Sequence, residues 1–195
     1  MSTTGDGVPD PEAFDRLRRR VLWAMPTGLF VVGSRSGEER NLMTCNWVQQ
    51  VATTPKLVAV AVEAGSVTRG LIDRGGSFSV CLLSRSDRSL VRRFVKPADD
   101  VETDGRGAAT SMQGVPVVEI GGGLPCPTAA VAWLACAVRT VATWDDLVPD
   151  GAAVTASHVL VVGEVVDAGE SSRLGAPGDD AAVLSMADTR MHYGG

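Results

Sequence analysis

The 195-residue chain is poor in histidine, with only His158 and His192, and its four cysteines lie far apart. It contains neither a CxxC pair nor a cysteine–histidine cluster, so we expect no metal site. GxSxG, P-loop and HExxH sequences are also missing, which removes the usual hydrolase and kinase signatures. With so few histidines, the spacing does not favour a cysteine or serine nucleophile paired with histidine.

A basic surplus and long hydrophobic runs are lacking as well. The net charge is -5 and the pI is about 5.0, which argues against a nucleic-acid-binding protein. No apolar run reaches the roughly 18 residues of a membrane span. The polar, acidic residues 1–11 do not have the pattern of a signal peptide. Together with the widely spaced thiols, these features predict a cytoplasmic protein that does not enter a membrane.

The first pattern that is present is an amphipathic helix near the amino terminus. Asp10 is a suitable N-cap and Pro11 suits the first helical position. An apolar stripe then recurs at helical spacing and ends before Pro26, with members Phe14, Leu17, Val21, Leu22 and Met25. The arginines at 16–20 fall late in this helix, where cations complement the helix dipole.

Short valine-rich runs bounded by glycine, proline and serine follow, and they predict strands at 29–33, 41–52, 57–62, 77–83, 115–119, 129–143 and 157–168. Two short helices are predicted between them, at 67–74 and 87–94. They are too few for a doubly wound α/β fold, and no GxGxxG sequence follows a strand. The sequence therefore predicts one mainly β domain, a barrel or a sandwich, over residues 1–195. Segments 1–10 and 169–182 are expected to be flexible, 99–114 a surface loop, and 121–123 a flexible connection.

A candidate anion site lies at residues 61–69. A strand leads to Gly65, and Ser66, Thr68 and Arg69 then open a short helix. Free N–H groups at a helix start, two hydroxyls and a guanidinium suit a phosphate. We call Ser66, Thr68 and Arg69 the anion cradle. Ordinary helix capping by Ser66 explains the same residues equally simply, so both interpretations stand.

A second candidate is the stretch 41–47, where polar side chains interrupt a strand that continues to Ala52. Buried polar groups need hydrogen-bonding partners, so such a strand commonly faces a ligand, a subunit interface or solvent. A half-exposed edge strand is an equally good interpretation.

The ordered motifs along the chain resemble one family. They are Asn41-x-Met43-Thr44-x-x-Trp47, Pro55-x-Leu57-Val58, Ser66-x-Thr68-Arg69, Gly76-x-Phe78-x-Val80, Phe94-Val95-Lys96-Pro97, Gly114-Val115-Pro116, Ala132-Trp133-Leu134 and the strand that begins at His158. Their order and spacing over roughly residues 22–168 are similar to those of the flavin reductase-like, FMN-binding split-barrel family.

The resemblance implies a mainly β fold, a split barrel of Greek-key type with an N-terminal helix and a few short helices, working as a homodimer. It also implies bound FMN, with FAD as a possibility. In this family the strand that matches Asn41, Leu42, Met43, Thr44, Cys45, Asn46 and Trp47 lies along the isoalloxazine ring. The segment that matches Glu63, Ala64, Gly65, Ser66, Thr68 and Arg69 holds the phosphate. Phe94 and Lys96 match a region that borders the cofactor near the dimer interface.

The activity implied is hydride transfer from NADH or NADPH to flavin, with reduced flavin passing to a partner monooxygenase or another acceptor. No catalytic side chain is certain, because His158 matches a nicotinamide-contacting histidine in some members but is equally well a structural residue at a strand end. A non-catalytic FMN redox carrier is the main alternative. A split-barrel scaffold that has lost flavin is the third.

The chain departs from the family pattern in two places. Many members have serine where this chain has Cys45 or Asn46, which leaves side-chain hydrogen bonds to the flavin open there. Residues 121–128 are interpreted as additional or rearranged loop material that alters access to the flavin. Cys126 in that loop is predicted to be exposed, and is the cysteine to test for reactivity.

Overall fold

The computed structural model describes residues 10–144, 157–175, 183–189 and 191. Helix α1, Pro11–Trp23, begins at Asp10, whose carboxylate accepts a hydrogen bond from the Glu12 N–H at 3.1 Å, so the predicted N-cap is confirmed. No residue of α1 is fully buried by the described residues, and most of its apolar stripe is exposed. None of the described helices is long and apolar enough to span a membrane.

The strands form two antiparallel sheets. Seven of them make the large sheet, in the order β2-β1-β5-β10-β11-β4-β3, and four make the small sheet, β6-β7-β8-β9. The strand bounds are β1 Phe30–Ser36, β2 Glu39–Cys45, β3 Val48–Thr53, β4 Lys56–Glu63, β5 Ser77–Leu82, β6 Val101–Thr103, β7 Ala109–Met112, β8 Val115–Ile120, β9 Leu124–Pro127, β10 Ala132–Ala142 and β11 His158–Glu170. The predicted mainly β fold with an N-terminal helix is confirmed.

The large sheet curls because its two end strands are consecutive in the chain. Only Asn46 and Trp47 separate β2 from β3, although these strands stand at opposite ends of the strand order. The Trp47 carbonyl accepts a hydrogen bond from the Ala61 N–H of β4 at 3.0 Å. The two ends of the sheet therefore approach each other at this crossover, which divides the single strand predicted at 41–52 into two.

Each face of the large sheet has its own core. One face packs against the small sheet, and its buried cluster includes Leu29, Leu42, Leu83, Phe94, Met112 and Cys126. The inner face of the curl holds the second cluster, which includes Val32, Val60, Phe78, Val80 and Val161. Phe78 packs so tightly over Gly163 that a Cβ at that glycine would lie 2.6 Å from the ring.

Helix α2, Val67–Gly75, lies close to the predicted 67–74 and packs its buried Leu71 and Ile72 beside the sheet. Gly76 ends it with a φ of 68°, a left-handed conformation that favours glycine. The helix predicted at 87–94 is wrong in type, because the chain instead forms the 3₁₀ segments Arg85–Asp87 and Leu90–Phe94. A further 3₁₀ segment spans Met186–Asp188.

The small sheet corrects the interpretation of residues 99–114 and 121–128 as loops. Strands β6 and β7 occupy much of the first segment, and β9 occupies Leu124–Pro127 after a tight turn at Gly121, Gly122 and Gly123. Cys126 is only 1% exposed, contrary to the prediction, because β9 of the small sheet packs against the large sheet. Its position is fixed by the Ser79 hydroxyl, which donates to the Pro125 carbonyl at 3.0 Å.

The ends of the expected core also need correction. Gly169 and Glu170 belong to β11 rather than to a flexible tail. Most of the two segments that were expected to be flexible lies outside the described residues, namely 1–9 and 176–182. His192 also lies outside them.

Glu119 joins the two sheets through charge. Its carboxylate accepts from Arg40 Nε at 2.6 Å, from Arg35 Nη1 at 3.1 Å and from the Ala109 N–H at 3.0 Å. Arg40 is almost fully buried and also donates to the carbonyls of Glu38 and Gly107. Burial raises the pKa of Glu119, but the hydrogen bonds from Ala109 and Arg40 and both guanidinium charges outweigh it, so the pKa lies below its usual value.

Candidate functional site

The anion cradle forms where β4 ends and α2 begins. The Ser66 hydroxyl accepts from the Arg69 N–H at 3.1 Å and donates to the Glu63 carbonyl at 2.8 Å, so the predicted cap is present. The N–H groups in the first turn of a helix have no intrahelical partners and carry a partial positive charge. Gly65 leaves the approach to this turn open, since a Cβ there would have no neighbour within 4 Å.

Arg69 provides the observation that points to an anion. One end of its guanidinium pairs with the Asp73 carboxylate at 2.8 Å. Its Nη1 atom is buried and has no hydrogen-bond partner among the described residues. A buried donor without a partner is costly, and more so when it is charged. A phosphate at the helix start would satisfy it, so the donors present fit such a group.

Asn41 and Thr68 connect the 41–47 stretch to the cradle. Both are buried, and Asn41 Nδ2 donates to Thr68 Oγ1 at 2.8 Å. The Asn41 Oδ1 atom accepts from the Ala98 N–H at 2.8 Å. These side chains hold β2 against α2 and the chain after Lys96. Direct contact of either residue with a cofactor stays a prediction.

The rest of the 41–47 stretch is packed inward, except at its end. Leu42 lies in the core, the Thr44 hydroxyl donates to the Val91 carbonyl, Met43 is half-buried, and Asn46 is buried. Burial raises the pKa of the Cys45 thiol to about 11, so this thiol is neutral near pH 7. Because β2 is an edge strand of the large sheet, its outer backbone groups are not used by a neighbouring strand.

Trp47 and His158 meet at the open end of this stretch. Their rings are edge to face, with centroids 4.9 Å apart, and Trp47 is 40% exposed. His158 Nδ1 lies 2.9 Å from the Ser157 hydroxyl, while the Ser157 carbonyl accepts from the Ala64 N–H at 2.9 Å. His158 is also the cross-strand neighbour of Glu63. The fold therefore brings three predicted pieces of the site together: Trp47, the 63–69 segment and His158.

Phe94 and Lys96 are placed differently from each other. The Phe94 ring is buried in the core, where the 3₁₀ segment packs against β2. Lys96 is exposed and makes no ion pair within the part of the chain that the structure describes. Their contact with a cofactor stays a prediction.

Sequence reasoning missed a cavity of about 520 Å³ that is lined by none of the predicted site residues and includes the end of β4 away from the cradle. Its walls come from several strands, including Phe30, Val58, Val80, Leu134 and Val165. No local pattern could have identified it, because these residues converge only in the folded sheet. In the described ranges, no group of three or more histidine, cysteine, aspartate or glutamate side chains could hold a metal ion.

Two relatives are similar in sequence. The NADH-dependent FMN reductase AsuE2 of Streptomyces nodosus subsp. asukaensis is 34% identical over 97 residues, which cover 50% of this chain. The match spans only 51% of AsuE2, about half its length. A flavin reductase of Pseudomonas putida is 27% identical over 187 residues, which cover 95% of this chain and 90% of that protein.

The fold is shared with a solved structure, the NADH:FAD oxidoreductase SgcE6 of Streptomyces globisporus C-1027. The TM-score is 0.62 at 26% identity, with 84% of this chain and 86% of SgcE6 covered. A family model described as the flavin reductase like domain matches residues 22–194, which include β1 to β11, the anion cradle and the Trp47–His158 pair. The chain therefore belongs to the flavin reductase like family.

Proposed function

We propose that the chain is a cytoplasmic flavin reductase that binds FMN, accepts hydride from NADH or NADPH and passes reduced flavin to a partner monooxygenase or another acceptor. The observation that carries this proposal is the buried, unpartnered Nη1 atom of Arg69 at the start of α2. It lies in a segment that the family model covers. The names of AsuE2 and SgcE6, which mention FMN, FAD and NADH, support the same class of reaction.

The anion cradle would hold the ribityl phosphate. Arg69 supplies charge, and the first turn of α2 supplies N–H donors. The Asn41–Thr68 hydrogen bond keeps β2 beside the cradle, so that the backbone edge of 41–47 lies along the same ligand. A cradle at a single helix turn suits the one terminal phosphate of FMN, and FAD remains the second candidate.

The Trp47–His158 pair would border the reacting ring and the nicotinamide. Bound flavin supplies the hydride-accepting chemistry, so the protein's part is to bind, orient and exclude water. His158 is fixed by Ser157 on one side and by the Trp47 ring on the other. Hydride transfer needs no acid–base pair, and the half-buried imidazole acts here as a contact surface.

An anaerobic assay separates the reductase from the FMN carrier. We expect NADH or NADPH to bleach the visible absorbance of FMN much faster with the protein than without it. If the protein binds FMN but bleaching is no faster than for free FMN, the non-catalytic carrier is the correct function. If it binds no FMN, the scaffold interpretation replaces both.

We also propose a homodimer in which α1 lies at the interface. Three of its stripe residues are more than half exposed in the single chain, Phe14 at 52%, Val21 at 57% and Leu22 at 52%, and Met25 just beyond its end is 60% exposed. Contiguous exposed apolar surface of this kind usually marks a protein interface. Self-association would bury the predicted stripe, which the described residues leave mostly exposed.

Leu22→Glu is expected to convert the dimer to a monomer. Placing a carboxylate in an apolar interface should cost about 2–4 kcal/mol, so the dimer should dissociate at least 30-fold more readily, to order of magnitude. Analytical ultracentrifugation measures this directly. Arg20→Glu on the same helix, away from the stripe, is the matched control and should remain dimeric. Equal behaviour of the two variants would remove α1 from the interface.

A further inference from the structure

The cavity of about 520 Å³ at the open end of the large sheet has the dimensions of a small-molecule site. Ligand pockets commonly measure about 300–1,000 Å³ and have mostly apolar walls. The walls here come from six strands, and Phe30, Val80 and Leu134 contribute large apolar surfaces. We call this space the mouth cavity.

The mouth cavity is separate from the anion cradle. On β4, the cavity is lined by Lys56, Leu57 and Val58, whereas the cradle follows Glu63 at the other end of the strand. At about 3.3 Å per residue, Lys56 and Glu63 lie roughly 23 Å apart. A small ligand in the mouth cavity therefore does not reach the cradle.

The polar groups of the cavity are concentrated on β3 and β4. Gln49, Gln50 and Lys56 line it, and within the described residues no carboxylate does. Lys56 makes no ion pair in that part of the chain. Each glutamine Nε2 donates one hydrogen bond to its own strand, which leaves a second N–H on each amide.

The acidic residues of β11 are Glu164, Asp167 and Glu170, and none of them lines the cavity. The Asp167 carboxylate accepts from the Ala168 N–H at 2.9 Å, and Glu164 pairs with Arg139. The cavity thus combines apolar walls with amide donors and a lysine that makes no ion pair among the described residues.

We propose that the mouth cavity binds a small organic anion with an apolar body. The aliphatic or aromatic part would lie among Phe30, Leu134 and Val165, and the acid group would pair with the Lys56 ammonium. Covering the cavity with the apolar surface of a second copy would instead bury Lys56 without an anion, which is unfavourable. This site is distinct from the anion cradle, and Val48 of its lining directly follows Trp47 in the chain.

Three ligands with the same carbon frame test the proposal: phenylbutyrate, phenylbutanol and phenylbutylamine. Calorimetric titration of the purified dimer should rank the acid above the alcohol and the alcohol above the amine. One partly exposed ion pair contributes about 1 kcal/mol, so the acid should bind roughly 5-fold more tightly than the alcohol. Lys56→Gln should abolish that difference, while Arg106→Gln in the distant β6–β7 turn should preserve it.

A second pair of variants tests the position. Ala168→Trp, at the exposed rim, should block all three ligands without disturbing the core. Leu134→Trp should block the three ligands from inside the cavity. FMN affinity, measured in parallel, should be unchanged in Ala168→Trp and should not respond to phenylbutyrate.

Several outcomes would overturn the proposal. Failure of the acid to bind, equal affinity for all three ligands, or binding that survives Ala168→Trp would each do so. Competition between phenylbutyrate and FMN would assign the cavity to the flavin site. Binding seen only at protein concentrations that dissociate the dimer would assign it to a second copy. The first three outcomes would leave the proposed reductase activity untouched, because the FMN assays measure that activity independently of the cavity.

Discussion

Glu119→Gln is expected to lower the free energy of unfolding by about 3 kcal/mol, because it leaves the buried Arg40 guanidinium without its counter-charge. Arg40 Nε lies 2.6 Å from the Glu119 carboxylate, and the Arg40 side chain is 2% exposed. Arg35 loses the same partner. Urea unfolding at neutral pH, followed by circular dichroism, measures the change.

The ion pairs of Glu119 should also make the free energy of unfolding of the wild-type protein depend on pH. The pKa of Glu119 is lowered in the folded chain, so its contribution to stability is complete above the unfolded pKa of about 4.3. It is lost as the pH falls through the lower folded pKa. Glu119→Gln should lack this part of the acid-induced loss.

Glu164→Gln is the matched control for Glu119→Gln. Glu164 also pairs with an arginine, Arg139, but that arginine is 55% exposed. Exposed pairs contribute about 0–1 kcal/mol, so the control should lose less than about 1 kcal/mol. If both variants lose the same amount, Glu119 does not join the sheets in the way that its geometry indicates.

Arg69→Gln is expected to weaken FMN binding roughly 10- to 100-fold, since a hydrogen bond to a charged group contributes about 1.5–3 kcal/mol. Riboflavin, which lacks the phosphate, should bind the variant and the wild-type protein equally. Quenching of flavin fluorescence gives both affinities.

Arg74→Gln on the same helix is the control for Arg69→Gln. Arg74 pairs with Glu39 and is exposed, so its loss should change neither affinity. If Arg69→Gln weakens FMN and riboflavin equally, then Arg69 has a structural role and the cradle does not hold the phosphate.

The parts of the fold that depend on neighbouring residues could be predicted from the sequence. Asp10 and Ser66 cap their helices as expected, because capping acts over two or three residues. The apolar run on β4 was equally informative, because strands buried on both faces are almost continuously apolar.

The parts that depend on distant residues could not be predicted. Segment 99–114 is rich in glycine and aspartate, yet it forms β6 and β7 because Glu119 and Arg40 fasten the small sheet to β2. Cys126, between two prolines, is typical of a loop, but β9 packs against the large sheet and buries it. The burial of Arg69 Nη1 without a partner among the described residues, on which the anion cradle assignment depends, also arises only in the folded chain.

The close packing of Phe78 against Gly163 restricts how the sequence of this protein can diverge. Phe78 is 0% exposed and cannot move aside, and a Cβ at position 163 would also lie 2.9 Å from the Cβ of Cys136. A side chain at 163 is therefore compatible with the fold only after the aromatic ring at 78 has been replaced by something smaller. The two positions should vary together or not at all, although 84 residues separate them along the chain and they lie on strands that are not neighbours in the sheet.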